Sequence, residues 1–382
     1  MHHADVAIVG AGMVGCACAD RLVRDGLRVT VIDPEPPGSG ATAAGMGHIM
    51  VTDDSEAQFA LTSYSRDLWD EMATDLPASA ERVVAGTLWV ASDEQELDAC
   101  HSKAGFYKAR GIHAEVLDEK SLASAEPNLR RGFVGGLRIP GDSIVYPPVV
   151  AAWLLNRAVA TGRCKVVRRR AVAIDPPRVM LDDGSAIESP AIVNACGAWA
   201  PKLTPGLPIR RKKGHLVITD RYPGFCFHEL IELAYLKNAH ASNADSVSFN
   251  LQPRGTGQLL IGSSRQFDRV DPENPSGPPI ERGPEVEDAM VEKIVARAIS
   301  FMPGIAKMSA IRVWTGFRAA TPDSLPLIGR HPQIEGLWLA TGHEGLGITT
   351  SLGTAEVLGD LMAGRAAKIP AAPYSPAREM KH

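Results

Sequence analysis

The chain has 382 residues, 45% of them hydrophobic, which is enough apolar material to close two cores and too much for a disordered protein. A net charge of −4 argues against a nucleic-acid partner, and the short basic runs at 168–170 and 210–213 read as solvated faces. No stretch is apolar for long enough to span a membrane, and the first strand begins at residue 6 with no room for a secretory signal, so a cytoplasmic location is expected. The six cysteines are scattered without a C-x-x-C pair, which argues against structural zinc, an iron–sulfur cluster or a disulfide framework; no metal site is expected.

Val6-Ala7-Ile8-Val9 is a short β-branched run that reads as a strand buried on both faces. Gly10-Ala11-Gly12-Met13-Val14-Gly15 follows at once. The first glycine permits a sharp turn, the second lets backbone approach a pyrophosphate, and the third lets the next helix pack close. That helix points free N–H groups at phosphates and is expected to end near Gly26. A second strand, 28–32, delivers Asp33, whose carboxylate suits ribose hydroxyls and argues against a 2′-phosphate. Strand, glycine turn, helix, strand and acid in this order predict a dinucleotide site.

Thr42-Ala43-Ala44-Gly45-Met46 is a small-residue stretch suited to close approach to a flat ligand. Helices are expected over 53–76, 93–110 and 146–160, with strands at 83–92 and 114–117, a turn-rich segment after 117, and strand and turn over 132–145. Strands follow at 165–175, 178–181 and 186–187. Residues 191–199 read as a buried strand ending in Asn194-Ala195-Cys196-Gly197-Ala198-Trp199, a second place where backbone meets a cofactor. From 209 to 265 strands dominate without regular helices, which suits an antiparallel sheet inserted into a parallel one. Residues 271–284 carry five prolines, so an exposed loop is expected there before an amphipathic helix at 285–302. A strand at 336–341 leads into Gly342-His343-Glu344-Gly345-Leu346-Gly347 and a helix from Ile348 to 362, a second helix N-terminus preceded by glycines.

A nicotinamide cofactor would use the first glycine turn alone, whereas FAD accounts for all of them. Residues 10–33 would hold adenosine and pyrophosphate, 42–46 and 194–199 the middle and the ring, and 342–347 would bring a helix dipole to flavin N1–C2=O, where negative charge appears on reduction.

At these residues the chain resembles the FAD-dependent amino-acid oxidoreductases of the D-amino-acid oxidase, glycine oxidase and sarcosine oxidase type. Further matching stretches are Gly86-Thr87-Leu88-Trp89-Val90-Ala91, Pro253-Arg254 with Leu259-Leu260-Ile261-Gly262, and Trp314-Thr315-Gly316-Phe317-Arg318 with Thr321-Pro322-Asp323. The resemblance implies an α/β fold with a Rossmann-like FAD-binding domain from 1–83, 145–206 and 320–370. A substrate-binding domain from 84–144 and 207–319 would carry the inserted antiparallel sheet, and 371–382 would be a tail. It implies non-covalent FAD on the stretches above together with Val172, since the cysteine that tethers flavin in some relatives has no counterpart after Cys226.

By family position, Arg318 would hold the substrate carboxylate with its rigid fork of donors, and His48 is a further pocket candidate. Asn250 stands where relatives carry an aromatic and Arg265 where they carry an apolar residue, which suits an extra polar or anionic group on the substrate. The implied reaction is oxidation of an amino or imino acid to its imine by hydride transfer to flavin N5. Residues 45–50, 53–56 and 262–266 look most like catalytic subunits of bacterial heteromeric dehydrogenases acting on D-hydroxyproline or opine-type amines, which pass electrons to partner subunits. A free-standing oxidase releasing hydrogen peroxide and a non-catalytic electron-relay subunit are the alternatives.

Overall fold

The computed structural model describes residues 4–233, 245–268 and 281–380. The chain divides into two compact units, one of Met1–Ala80, Val145–Arg211 and Phe317–His382, the other of Glu81–Ile144 and Lys212–Gly316.

The first unit is built on a six-stranded sheet in the order Leu327–Arg330, Leu337–Thr341, Ala191–Asn194, Val6–Val9, Val29–Ile32, Cys164–Val167. Its strands run parallel except Leu327–Arg330, which pairs antiparallel at the edge. Val6–Val9 and Val29–Ile32 are buried at every position because helices cover both faces of such a sheet. The helix Met13–Arg24 packs against both Pro147–Ala160 and Ser351–Met362. Buried Arg21 joins two of these helices, bonding Glu356 at 2.6 Å and Asp360 at 3.2 Å while also pairing with Asp25 at 2.5 Å. Gly359 permits that approach, since a Cβ there would lie 3.1 Å from Arg21 Cγ.

The strand expected over 165–175 is two strands. Cys164–Val167 ends the parallel sheet, and Ala171–Asp175 belongs to a separate antiparallel sheet with Arg178–Leu181 and Ala186–Glu188. The chain turns between them at Arg168–Arg170, where the Arg169 N–H bonds Val167 O at 3.0 Å. Residues 371–380, expected within a tail, pack into the first unit: Tyr374 is fully buried with its hydroxyl donating to Ala57 O at 2.6 Å, and Arg378 pairs with Asp323 at 2.7 Å.

The second unit holds most of an eight-stranded sheet in the order Ala310–Ala320, Arg210–Arg221, Gln258–Phe267, Ser246–Pro253, Glu229–Glu232, Thr87–Ala91, Gly135–Ile139, Glu115–Asp118. Glu229–Glu232 lies parallel to Thr87–Ala91, whereas the pairs from Arg210–Arg221 to Glu229–Glu232 and from Thr87–Ala91 to Glu115–Asp118 are antiparallel. The amphipathic helix is Asp288–Phe301, three residues shorter at its start than expected, and Val286 is exposed outside it. Met290, Ile294, Ala298 and Phe301 bury its apolar face on Phe249, Leu251, Leu259 and Ile261, with the Phe249 and Phe301 rings stacked at 4.3 Å. A seven-residue helix, Glu119–Ala125, stands in the segment expected to be turns; Asp118 caps it by accepting the Ser121 N–H at 2.7 Å, and two turns are too short to show a helical period. Of the proline-rich stretch, 271–280 lie outside the described residues.

A charged network sits at the start of the helix Asp288–Phe301. Buried Lys213 donates to Glu285 O at 2.6 Å and pairs with Glu287 at 3.2 Å, while Arg282 pairs with Glu287 at 3.2 Å and Asp245 at 2.9 Å. Burial raises the Glu287 pKa, but the hydrogen bonds from Gln266 and Lys213 and the charges of Lys213 and Arg282 win and hold it down at about 2. The folded carboxyl thus binds its proton less readily than the unfolded one, so its contribution to stability is complete above about pH 4.5 and lost as pH falls toward 2. Glu287→Gln is expected to lower Tm at neutral pH and to flatten the fall of Tm over that acid window in a calorimetric pH series; an unchanged acid limb would count against the network.

Candidate functional site

In the first unit the ends of three parallel strands converge on turns made of glycine and small residues. Gly10, at φ +110°, leads out of Val6–Val9 so tightly that a Cβ would lie 2.6 Å from Ala195 O. At Gly15 a Cβ would come within 1.9 Å of Gly10 O, which shows how closely the helix Met13–Arg24 crosses the turn. Gly12 differs from both: its Cβ would meet only Thr42 Oγ1, at 3.4 Å, so the polypeptide itself leaves room in front of it. Thr42 Oγ1 accepts the Met13 N–H at 3.0 Å, which joins the small-residue stretch to the helix N-terminus. Asp33 is held by two backbone donors, Ala11 N–H at 2.7 Å and Glu35 N–H at 2.9 Å, leaving its outer lone pairs for hydroxyls.

The other turns join the same assembly. Gly45 lies against Ile348, whose Cδ1 would be 2.8 Å from an added Cβ. The Thr349 hydroxyl donates to His48 O at 2.9 Å and accepts the Met50 N–H at 3.4 Å, tying the strand His48–Ile49 to the turn that precedes Ser351–Met362. Thr341 donates to Gly197 O at 3.1 Å, linking the turn after Ala191–Asn194 with the one after Leu337–Thr341. Buried Asn194 braces the former by donating to Ala200 O at 3.1 Å and accepting the Cys196 N–H at 3.2 Å. Thr349 carries positioning work that the sequence alone did not assign, its only signal a threonine just past a glycine turn, whereas Asn194 lies within the 194–199 stretch expected at the cofactor.

His343 is buried with Nε2 2.9 Å from Thr354 Oγ1, and burial pushes its imidazole down to about 3. It stays neutral at working pH, so it supplies no positive charge beside the turn and serves poorly as a base. Gly342 takes φ +82°, with Thr321 Cγ2 only 2.8 Å from an added Cβ, and the Glu344 N–H bonds Ala319 O at 2.8 Å, hanging the turn on the strand that carries Arg318. Half-buried Arg318 passes directly over Gly345, its Cδ 3.9 Å from where a Cβ would stand.

Two further expected cofactor positions are exposed. Val172 is exposed on Ala171–Asp175, in the separate three-stranded sheet. Trp199 is exposed and edge-on to Phe317 at 5.6 Å, with Arg211 and Lys202 each 5.1 Å from its ring. In the second unit, Asn250 is buried opposite Gly262 and Arg265 is partly exposed opposite Ser246. Their backbones are thus three residues apart along one strand and four along its partner, roughly 10–13 Å at about 3.3 Å per residue. Among the described residues no cluster of His, Cys, Asp or Glu forms a metal site, and no helix is long and apolar enough to cross a membrane.

Residues 5–361 match the family model described as FAD dependent oxidoreductase. The chain belongs to that family. Among curated relatives it is 28% identical to a glycine oxidase of Geobacillus kaustophilus over 99% of the chain and 98% of the relative. It is 25% identical to a D-amino acid dehydrogenase of Cereibacter sphaeroides over 96% and 93% respectively. The crystal structure of the Geobacillus kaustophilus glycine oxidase superposes with a TM-score of 0.86 at 27% identity, covering 100% of both chains. The residues of this FAD-dependent oxidoreductase fit the cofactor: the open backbone at Gly12 and the N-terminus of Met13–Arg24 would take phosphates, and the fixed acceptor Asp33 would take ribose hydroxyls.

Proposed function

We propose that this flavoenzyme oxidises an amino or imino acid, preferably a cyclic or N-substituted one, to the imine, and works as the catalytic subunit of a dehydrogenase that passes electrons to a partner. The observation that carries the reading is Arg318, a cation placed over the backbone of Gly345 within the same turn system as the cofactor cradle. A guanidinium there binds a carboxylate through two parallel hydrogen bonds and so orients the α-carbon. Bound FAD supplies the two-electron acceptor. The substrate loses its α-hydrogen with the bonding pair and a proton from nitrogen, leaving C=N. With His343 neutral and hydrogen-bonded to Thr354, the amine is best taken up already deprotonated, and activity should rise with pH as the free amine is populated.

Non-covalent FAD fits the thiols of this chain. Cys196, the cysteine at a cofactor turn, donates its S–H to Val9 O at 3.3 Å, and burial, with Asp33 nearby, pushes its pKa up to about 12, so it is no nucleophile. Acid precipitation is expected to release all the yellow colour into the supernatant; colour retained in the pellet would contradict this. Electron transfer to a partner needs a redox centre elsewhere, since the described residues hold no metal-binding cluster.

The test is anaerobic mixing with D-, N-methyl- and cyclic amino acids. Bleaching of the flavin band by at least one of them is expected, with slow recovery in oxygen and fast turnover with an artificial dye. Similarity to a glycine oxidase favours a second reading, a free-standing oxidase, and rapid stoichiometric peroxide from the isolated chain would select it. A flavin that only an independent reductant bleaches would leave the relay role.

A further inference from the structure

Two turns of the first unit meet beside the strand end that carries Arg318, and each holds a non-glycine residue in the left-handed region: Ser324 at φ +58° within 321–326, and Glu344 at φ +47° after Gly342. Such backbone costs energy and persists only where its surroundings hold it. The turns touch, since a Cβ on Gly342 would lie 2.8 Å from Thr321 Cγ2 and 3.7 Å from Pro326 Cα, and the Glu344 N–H bonds Ala319 O at 2.8 Å, one residue past Arg318. Part of what holds the turn 321–326 is local: Thr321 donates to Leu325 O at 2.8 Å, and Asp323 Oδ1 accepts the Leu325 N–H at 3.2 Å. The rest comes from Arg378, whose side chain is 9% exposed and uses all five guanidinium N–H donors. Nε bonds Asp323 Oδ2 at 2.7 Å, and Nη2 bonds Asp323 Oδ1 at 2.9 Å and Leu325 O at 2.7 Å. Nη1 bonds Pro326 O at 3.0 Å and, within its own segment, Ser375 O at 3.1 Å. That segment is anchored in turn by the Tyr374 hydroxyl on Ala57 O at 2.6 Å and by Met380, which packs on the cluster of Ala319 and Leu339.

We infer that Arg378 is a positioning residue for the substrate site: by clamping the turn 321–326 it fixes the strand end from which Arg318 reaches over Gly345, and so sets the affinity for the substrate carboxylate. The inference rests on the reading of Arg318 given above and adds to it a residue that acts only through the turn. Without the guanidinium, the Asp323 carboxylate and the Leu325 and Pro326 carbonyls each lose a donor, and nothing outside the turn holds Ser324 in its left-handed backbone. The movement reaches Arg318 through Ala319 and Ala320 alone. A lysine keeps the charge, but its three donors cannot serve five acceptors arranged around a planar fork.

The experiment compares the wild type with Arg378→Ala, Arg378→Lys and Tyr374→Phe, the last removing a bond of the same segment at Ala57 rather than at the turn. Anaerobic rapid mixing with the amino acid that bleaches the wild-type flavin fastest separates the apparent Kd from the limiting rate of reduction, while absorbance gives FAD content and melting gives Tm. Arg378→Ala is expected to keep its FAD and raise the apparent Kd about tenfold with the limiting rate within about twofold, and Arg378→Lys to raise Kd about threefold. Tyr374→Phe should lower Tm and leave Kd as in the wild type. If the alanine variant does not fold, the lysine and phenylalanine variants at matched FAD content carry the comparison. A lowered Tm beside a wild-type Kd in the Arg378 variants would make the arginine a structural clamp only and overturn the inference, as would an equal rise of Kd in Tyr374→Phe. Failure of the reading beneath it looks different: the wild-type flavin stays oxidised with every amine tested, or Arg318→Ala keeps the wild-type Kd, and either result overturns both.

Discussion

An Arg318→Ala variant is expected to keep its FAD and lose about 10- to 150-fold in kcat/KM, mostly through KM, the equivalent of removing a charge-assisted carboxylate pair of about 1.5–3 kcal/mol. Lysine at this position should recover only part of the loss, because an ammonium restores the charge without the planar fork that fixes the α-carbon. The size of the effect follows from where the side chain lies. Arg318 is half-buried above Gly345, and the Glu344 N–H to Ala319 O bond locks its strand to the glycine turn, so the guanidinium is held in place before substrate arrives. Steady-state kinetics with the best substrate from the anaerobic panel, beside FAD content measured by absorbance, check this. Wild-type KM in the alanine variant would remove Arg318 from the substrate site.

The second large effect separates two glycines of one motif. Gly15→Ala places a methyl 1.9 Å from Gly10 O, a backbone atom that cannot move without unseating the first strand, so little folded protein is expected. Gly12→Ala meets only Thr42 Oγ1 at 3.4 Å, and its backbone at φ −69° and ψ −179° suits alanine, so the apoprotein should fold as the wild type does. What the added methyl would obstruct is the space the pyrophosphate needs, and FAD affinity should fall by at least about tenfold. Circular dichroism of the two apoproteins with FAD titration of the soluble one makes the comparison. Equal FAD affinity in Gly12→Ala and wild type would place the pyrophosphate elsewhere.

What could be read in advance was what is local. Val6-Ala7-Ile8-Val9, the glycines at 10, 12 and 15, and Asp33 declare a strand, a turn, a helix start and an acid within thirty residues, because each depends on neighbouring residues and on backbone freedom that only glycine has. The long helices 56–71 and 94–109 were legible for the same reason, each opened by a side-chain cap, Ser55 and Asp93. The seven-residue helix Glu119–Ala125 was not, and neither was the break at Arg168–Arg170, since β-branched residues on both sides of it look like one strand until the partners of each half are known.

By itself, then, the sequence determined the βαβ start, the glycine turns and the placing of Arg318 in a family motif, all signals carried by a few consecutive residues. Only the tertiary structure decided that Gly45 lies on Ile348, that Thr349 ties His48 to the last turn and that Tyr374 closes the first unit. Those facts join residues more than 300 positions apart, and which surfaces bury together is not set by any short run of sequence.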